Sequence, residues 1–232
     1  MDPHEHPQEQ IQKQQHKQLE ETQPLPAHTA GDSNSSGLQL LVCAVLLLAT
    51  VGFVAWRRPG PALITAIASV AYFAMQRALA ANAGGQQQPQ PLLLGARYAD
   101  WLLTTPLILY LLLKDSLSPA WLALVCGADA LMIVAGYLGA TVEATVQGRR
   151  AWFALSFAFF VPVLAAVAHK LGSRAHGRAA AALVLAIWPA YPVLWWAQYC
   201  RADAAAGLSP AQANAWTAAL DVVAKVGFGI LL

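Results

Sequence analysis

Two ionisable residues, Asp221 and Lys225, lie inside the last apolar stretch of the chain, residues 215–232. Charged groups at that depth in hydrocarbon are expensive and usually mark function. Residues four apart share one face of a helix, so the carboxylate and the amine can meet. An amine held away from water can attack an aldehyde carbon and form an imine. We therefore predict imine chemistry at Lys225; the alternative is a lysine whose ammonium reaches the headgroups, since the chain ends seven residues later.

A second set of polar residues lies in an earlier apolar stretch, where Arg97, Asp100 and Thr104 are three and four residues apart. That spacing puts all three on one helix face. A buried carboxylate can stay ionised beside a cation, and Lys225 or its imine can supply that cation. The alternative is an Arg97–Asp100 pair that only ties the helices together.

Four aromatic residues are suited to an elongated apolar ligand. Trp188, Tyr191 and Trp195 fall on one helical stripe in a segment that also contains two prolines, and Trp101 lies in the earlier stretch. Such stripes are usually core packing or an interfacial belt. Because this stripe can face a reactive lysine, we predict a ligand clamped between tryptophans.

The composition is that of a membrane protein. Hydrophobic residues make up 57% of the chain and charged residues 11%, against roughly 25% charged in soluble domains. Residues 1–36 are polar and rich in glutamine, and we expect a disordered tail there. The net charge of +2 gives no indication of nucleic-acid binding, and three cysteines without CxxC spacing predict neither a disulfide framework nor a metal site.

From residue 37 onward, seven apolar stretches are long enough to cross a bilayer. They predict an all-α membrane protein, a seven-transmembrane-helix bundle over residues 37–232. The first, third and fifth loops hold six basic residues and the other loops three, which predicts that the odd loops face the cytosol and the N-terminal tail lies outside. The predicted spans are 37–56, 61–83, 91–113, 119–143, 150–170, 177–200 and 210–232.

Three segments resemble the microbial (type I) rhodopsins and, among them, the bacteriorhodopsin-like branch. They read RYADWLLTTP at 97–106, WPAYP at 188–192 and LDVVAKVGFG at 220–229. The likeness covers residue 38 to the end and leaves the tail outside. It implies a seven-helix bundle enclosing all-trans retinal, joined to Lys225 as a protonated Schiff base.

The resemblance also implies a role for each matching residue. Asp100 corresponds to the primary counterion and proton acceptor, Asp221 to the second counterion, and Arg97 to the gate toward the outside. Thr104 is implied to hydrogen-bond near the Schiff base, and Tyr72 to lie beside the counterions. The implied chromophore pocket consists of Lys225, Trp101, Thr105, Asp129, Met132, Gly136, Ser156, Trp188, Tyr191 and Trp195.

Two departures from the pump pattern bear on the activity. In outward pumps of this type, an acid eleven residues after the acceptor reprotonates the Schiff base. Here that position is Leu111, roughly 16 Å from Asp100 along the helix. The release-side acid, eight residues before the second counterion, is replaced by Ala213, for which Glu143 or Asp203 could stand in.

These observations leave two functions of different classes open. The intact set of Arg97, Asp100, Asp221 and Lys225 favours a light-driven outward proton pump with slow reprotonation, which is an ion transporter and not an enzyme. Leu111 favours a photosensor, in which a signalling partner reads a long-lived deprotonated state. A light-gated cation channel is a third alternative without positive support, and an acid at position 100 disfavours a chloride pump. We favour the pump, surrounded by lipid in the plasma membrane, and the resemblance is compatible with a homo-oligomer.

Overall fold

Seven helices make up the part of the chain that the structure describes. The structure is a computed structural model, and it describes residues 29–83, 90–143, 145–172, 177–201 and 208–232. No strand occurs in those residues. The predicted all-α, seven-helix fold is therefore confirmed. The helices are α1 (Thr29–Ala55), α2 (Pro59–Ala83), α3 (Gln90–Leu113), α4 (Pro119–Thr141), α5 (Val146–Gly172), α6 (Arg178–Tyr199) and α7 (210–231).

The first helix is longer than its predicted span. α1 begins at Thr29, whereas the apolar pattern predicts a start at residue 37. Helical hydrogen bonding continues into the polar residues before the apolar stretch, while hydropathy marks only the section suited to hydrocarbon, Ser36–Ala55. Of the predicted tail over 1–36, residues 1–28 lie outside the described residues. From residue 31 onward the chain forms one unit.

Five of the seven described helices are long and apolar enough to cross a membrane, and α3 and α7 are the other two. α3 contains Arg97 and Asp100, and α7 contains Asp221 and Lys225. All four of these side chains are buried. The two helices that are least suited to lipid thus carry four of the six buried Asp, Lys and Arg side chains of the described residues, and Asp129 and Lys170 are the other two.

Serine and proline fix where two of the helices begin. Ser118 precedes α4 and Ser209 precedes α7, and each hydroxyl accepts a hydrogen bond from the backbone N–H three residues later. The Oε1 of Gln212 in turn accepts a hydrogen bond from the backbone N–H of Ser209, which completes a capping box. Pro119 and Pro210 occupy the first helical position, where a backbone N–H is not needed.

α6 and α7 are irregular near the middle of the bundle. α6 consists of Arg178–Ile187 and Ala190–Tyr199, with Pro189 in the gap between them. Proline lacks an N–H and crowds the preceding turn, which accounts for the break. α7 changes from α to π hydrogen bonding over Val223–Gly227, and Lys225 is the middle residue of that segment. Single π turns are frequent at functional sites.

Candidate functional site

The amine of Lys225 lies between two carboxylates. Its Nζ is 2.8 Å from Oδ2 of Asp100 and 3.4 Å from Oδ1 of Asp221. All three side chains are buried, with residue exposures of 3%, 1% and 1%. A buried ion pair must be well compensated to persist, because each charge has lost its hydration. The sequence-based prediction that the amine meets both acids agrees with this geometry.

Three donors hold the carboxylate of Asp221. The hydroxyl of Tyr72 donates to Oδ2 at 2.7 Å, and the hydroxyl of Tyr191 donates to Oδ1 at 2.7 Å. The indole N–H of Trp101 donates to the same Oδ1 at 3.1 Å. These donors come from α2, α6 and α3, so Asp221 joins three helices to α7. With Lys225 beside it as well, the carboxylate has little capacity left to accept further hydrogen bonds.

The carboxylate of Asp100 has fewer partners. The hydroxyl of Thr104 donates to the backbone carbonyl of Asp100 at 2.7 Å and lies 3.4 Å from its Oδ1. Lys225 contacts the other oxygen, Oδ2. Asp100 is therefore the acid that directly faces the amine while keeping unused acceptor capacity.

Arg97 is turned away from this acid. Its guanidinium donates to Oδ1 of Asn214 in α7, and the Nε2 of Gln39 in α1 donates to the same oxygen at 2.8 Å. Within the described part of the chain, Arg97 forms no ion pair with a carboxylate. An Arg97–Asp100 pair that ties the helices together is therefore not what the structure contains. We call the side of Lys225 that holds Arg97, Asn214 and Gln39 the Arg97 half.

Gln39 and Asn214 were missed in the sequence analysis. Asn214 lies seven residues before Asp221, two helical turns away, so it shares a helix face with the acid and then with Lys225. Gln39 is the lone amide in a long apolar run. Both signals are visible in the sequence, but a lone amide gives no hint of its partner in another helix.

An apolar cavity leads away from Lys225. It lies among α3, α4, α5, α6 and α7, and it reaches from the amine to Gly136 and Ser156. The rings of Trp101 and Tyr191 cross at 81° with centroids 5.4 Å apart, so their edges and faces form part of its wall. Of the predicted pocket residues, those that line the cavity are Lys225, Trp101, Thr105, Met132, Gly136, Ser156, Trp188, Tyr191 and Trp195.

The remaining predicted pocket residue, Asp129, lies behind the cavity wall. It is fully buried, and its Oδ2 accepts a hydrogen bond of 2.6 Å from the hydroxyl of Thr105, which does line the cavity. Tyr98 also belongs to this pocket, although it is not among the predicted pocket residues. Its hydroxyl accepts a hydrogen bond of 2.9 Å from the indole of Trp195 and lies 3.3 Å from the carbonyl of Gly136. Tyr98 thereby fixes two pocket residues.

The other side of Lys225 is apolar. Ile108, Leu112, Val184 and Phe228 are buried there in one hydrophobic cluster, against which Leu111 packs. The buried acids of the described residues are Asp100, Asp129 and Asp221, so the nearest one in sequence to Leu111 is Asp100. We call this side the Leu111 half. Position 111 therefore has no carboxylate that could relay a proton, as the sequence predicts.

Two acids could replace the release-side acid, and the one that the structure describes, Glu143, forms no hydrogen bond or ion pair with Arg97. Ala213 is buried. The carboxylate of Glu143, just beyond the end of α4, accepts hydrogen bonds of 2.8 Å from the backbone N–H and the hydroxyl of Thr145. Asp203 lies outside the described residues. Among the described residues, the group that accepts a hydrogen bond from Arg97 is the amide oxygen of Asn214.

Sequence comparisons identify relatives of this chain. Residues 35–232 match the family model of the bacteriorhodopsin-like proteins. Archaerhodopsin-3 of Halorubrum sodomense is 36% identical over 183 residues, which cover 73% of this chain and 68% of that protein. Bacteriorhodopsin of Halobacterium salinarum is 36% identical over 161 residues, covering 64% of this chain and 58% of that protein. The aligned part thus spans less than two thirds of that relative.

Solved structures have the same architecture. Xanthorhodopsin, described as a light-driven ion pump with dual chromophore, superposes with a TM-score of 0.70 at 27% identity, covering 87% of this chain and 91% of that one. The proton-pumping rhodopsin of the alga Acetabularia acetabulum gives a TM-score of 0.70 at 24% identity, covering 89% and 93%, which speaks for the fold alone. The buried amine between two acids, the apolar cavity and the family match agree. This integral, multi-pass membrane protein belongs to the bacteriorhodopsin-like family of retinal-binding, light-driven transporters and photoreceptors.

Proposed function

We propose that the protein is a light-driven outward proton pump in which reprotonation is slow. The observation that carries the proposal is the buried Lys225 amine, 2.8 Å from Asp100 and 3.4 Å from Asp221. A cation between two carboxylates can pass its proton to one of them when their relative orientation changes. The printed description of xanthorhodopsin as a light-driven ion pump supports the same activity here.

We infer that the cofactor is all-trans retinal, linked through an imine to Nζ of Lys225. The cavity supports this fit, because it is lined mainly by apolar and aromatic side chains and includes the amine of Lys225. When bound, retinal absorbs visible light and isomerises, which displaces the proton on its imine nitrogen. Trp101 and Tyr191 would confine the chain of the ligand. Gly136 lines the far end, and a Cβ there would make an ordinary van der Waals contact of 3.5 Å with the ring of Tyr98.

In this proposal Asp100 is the proton acceptor and Asp221 the fixed counter-charge. Three side-chain donors already occupy Asp221. Asp100 faces the amine through Oδ2, and only Thr104 approaches its Oδ1. The oxygen closest to the departing proton is thus on Asp100. Transfer to this oxygen needs no intervening group, since 2.8 Å is hydrogen-bonding distance.

The two halves support an outward direction. The Arg97 half contains the buried polar side chains of Arg97, Asn214 and Gln39, so a proton meets hydrogen-bonding groups on that side. In the Leu111 half the replacement proton must cross an apolar cluster in which position 111 has no titratable group. The distribution of basic loop residues supports an orientation in which the Arg97 half and the N-terminus face the outside, and we infer that the membrane is the plasma membrane. Release is then outward, and uptake from the cytosol is slow.

The test is the pH of a lightly buffered suspension of cells that express the protein and are supplied with retinal. We expect illumination to acidify the medium and an uncoupler to abolish the effect. Lys225→Ala, which cannot form the imine, is the matched control and should give neither a visible band nor a pH change. A wild-type protein with a normal visible band and no light-dependent pH change would overturn the pump.

Leu111 favours one other function, a photosensor. Without an acid at this position the deprotonated state lasts longer, which gives a signalling partner time to recognise it. A sensor would show the same visible band and the same slow recovery in flash absorbance, but no net proton movement. The suspension measurement therefore separates the two functions.

A further inference from the structure

Where α1, α3 and α7 come together, the buried amide of Asn214 contacts the guanidinium of Arg97, and the buried amide of Gln39 contacts Asn214. Oδ1 of Asn214 accepts hydrogen bonds from Arg97 and from Nε2 of Gln39, the latter at 2.8 Å. Gln39 is fully buried, Asn214 is 6% exposed and Arg97 is 8% exposed. These residues lie in three different helices, so the contact fixes the Arg97 side chain against two neighbours.

This environment is unusual for a buried arginine. Charged side chains are rarely buried unless they are paired, and a guanidinium is best matched by a carboxylate with two parallel hydrogen bonds. Here Arg97 has one amide oxygen as its hydrogen-bond acceptor among the described residues. Its Nε and the Oε1 of Gln39 have no hydrogen-bonding partner there. The amides thus determine where the positive charge lies without neutralising it.

We infer that Gln39 and Asn214 are positioning residues for Arg97, and that they set how strongly its charge acts on Asp100. The inference rests on the proposed role of Asp100 as the counterion that takes up the proton. A free guanidinium at this depth would turn toward the nearest anions, because a low dielectric strengthens their attraction. The shared hydrogen bond at Asn214 Oδ1 opposes that turn. Amides do not titrate near neutral pH, so the restraint is independent of proton uptake and release.

Other groups also act on this part of the bundle. Tyr72, Tyr98 and Tyr199 interact electrostatically with Arg97. The groups that act on Asp100 are Lys225, Asp221, Thr104, Tyr72 and Tyr191. None of the variants below changes any of these residues.

The experiment is an acid titration of the visible band of purified, retinal-loaded protein in the dark. Protonation of the counterion changes the colour, so the midpoint reports the field at Asp100. In Asn214→Leu, Arg97 loses its acceptor and moves toward Asp100, which stabilises the ionised acid. We expect the midpoint to move by about one pH unit toward acid, a tenfold change in the protonation equilibrium. Gln39→Leu should give a smaller shift in the same direction, because Asn214 remains.

Two further variants separate positioning from simple loss of stability. Asn214→Gln keeps an amide oxygen and should recover at least part of the shift. Gln76→Leu removes an amide in α2 whose Nε2 contacts Ser36 at 3.4 Å and has no contact with Arg97, and it should leave the midpoint unchanged. An unchanged midpoint in Asn214→Leu, or in Gln39→Leu if the first variant does not fold, overturns the inference. Because the titration is done in the dark, it stays informative even if the suspension measurement shows no pumping.

Discussion

The Arg97 half and the Leu111 half differ in what a proton would meet on each side of Lys225. The Arg97 half has hydrogen-bonding side chains from α1, α3 and α7. The Leu111 half has aliphatic and aromatic side chains packed around Leu111. A single helix, α3, contributes to both sides: Arg97 lies before the proposed acceptor Asp100, and Leu111 lies after it.

In the proposed pump, the difference explains how helices with a repeating backbone can support transport in one direction. An α-helix offers the same backbone along its whole length, so direction must come from the side chains and from what they contact. Polar groups lower the free energy of a proton, and a dry apolar cluster raises it. In the proposed pump, the asymmetry about Lys225 therefore favours release on one side and delays uptake on the other.

The largest effect is expected from Asp100→Asn, which removes the proposed acceptor from the polar side. An amide cannot take the proton, so light-dependent proton movement should fall by about 100-fold or more. Flash absorbance should show the deprotonated intermediate disappearing in parallel. Asp115→Asn, at the exposed start of the loop after α3, is the control and should behave like the wild type. Normal deprotonation in Asp100→Asn would identify a different acceptor.

Next in size is Tyr72→Phe, which tests whether Asp221 is held as a fixed counter-charge. The variant removes the 2.7 Å hydrogen bond to Oδ2. A hydrogen bond to a charged group contributes about 1.5–3 kcal/mol, so thermal bleaching should occur at lower temperature. Thr217→Val, which loses a single 2.8 Å hydrogen bond to the neutral carbonyl of Ala213, should lose about 1 kcal/mol. Equal losses in the two variants would argue against a charged Asp221.

Leu111→Asp should reduce the difference between the halves. A carboxylic acid in the apolar cluster can relay a proton, so the deprotonated intermediate should recover about tenfold faster, a barrier lower by about 1.4 kcal/mol. Leu111→Asn has a similar size and polarity without a titratable proton, and it should recover at the wild-type rate. If both variants recover equally fast, entry of water and not proton relay limits the step.

The smallest effect is expected at the end of α7 that adjoins the Arg97 half. Ser209→Ala removes the N-cap, whose hydroxyl accepts from the backbone N–H of Gln212 at 3.2 Å. Loss of such a cap costs about 1 kcal/mol of stability, measurable as earlier bleaching on heating. Ser209→Asn keeps a capping oxygen and should restore the wild-type value. A Ser209→Ala protein as stable as the wild type would mean that packing alone holds this end.

The fold could be predicted from the sequence because the length of each apolar stretch depends only on the order of residues along the chain. Six of the seven predicted spans agree with the helices to within about four residues, and α1 differs since its polar start has no hydropathic signal. The meeting of Asp221 with Lys225 could be predicted because both lie on one helix face. The contact of Arg97 with Asn214, and of Asn214 with Gln39, could not be predicted. These three residues lie in different helices, and residue spacing along one helix does not tell which faces of two helices adjoin.

The ion pair at the centre of the site also has a consequence for biogenesis. Asp100 and Lys225 are 125 residues apart, and ribosomes add about 5–20 residues per second, so α3 is made about 6–25 s before α7 supplies the amine. Until then, its acid and its arginine each disfavour insertion by about 2.5–3.5 kcal/mol at mid-membrane. Stable membrane residence of the third segment should therefore depend on the arrival of the last one, and truncation before α7 should increase turnover of the nascent protein.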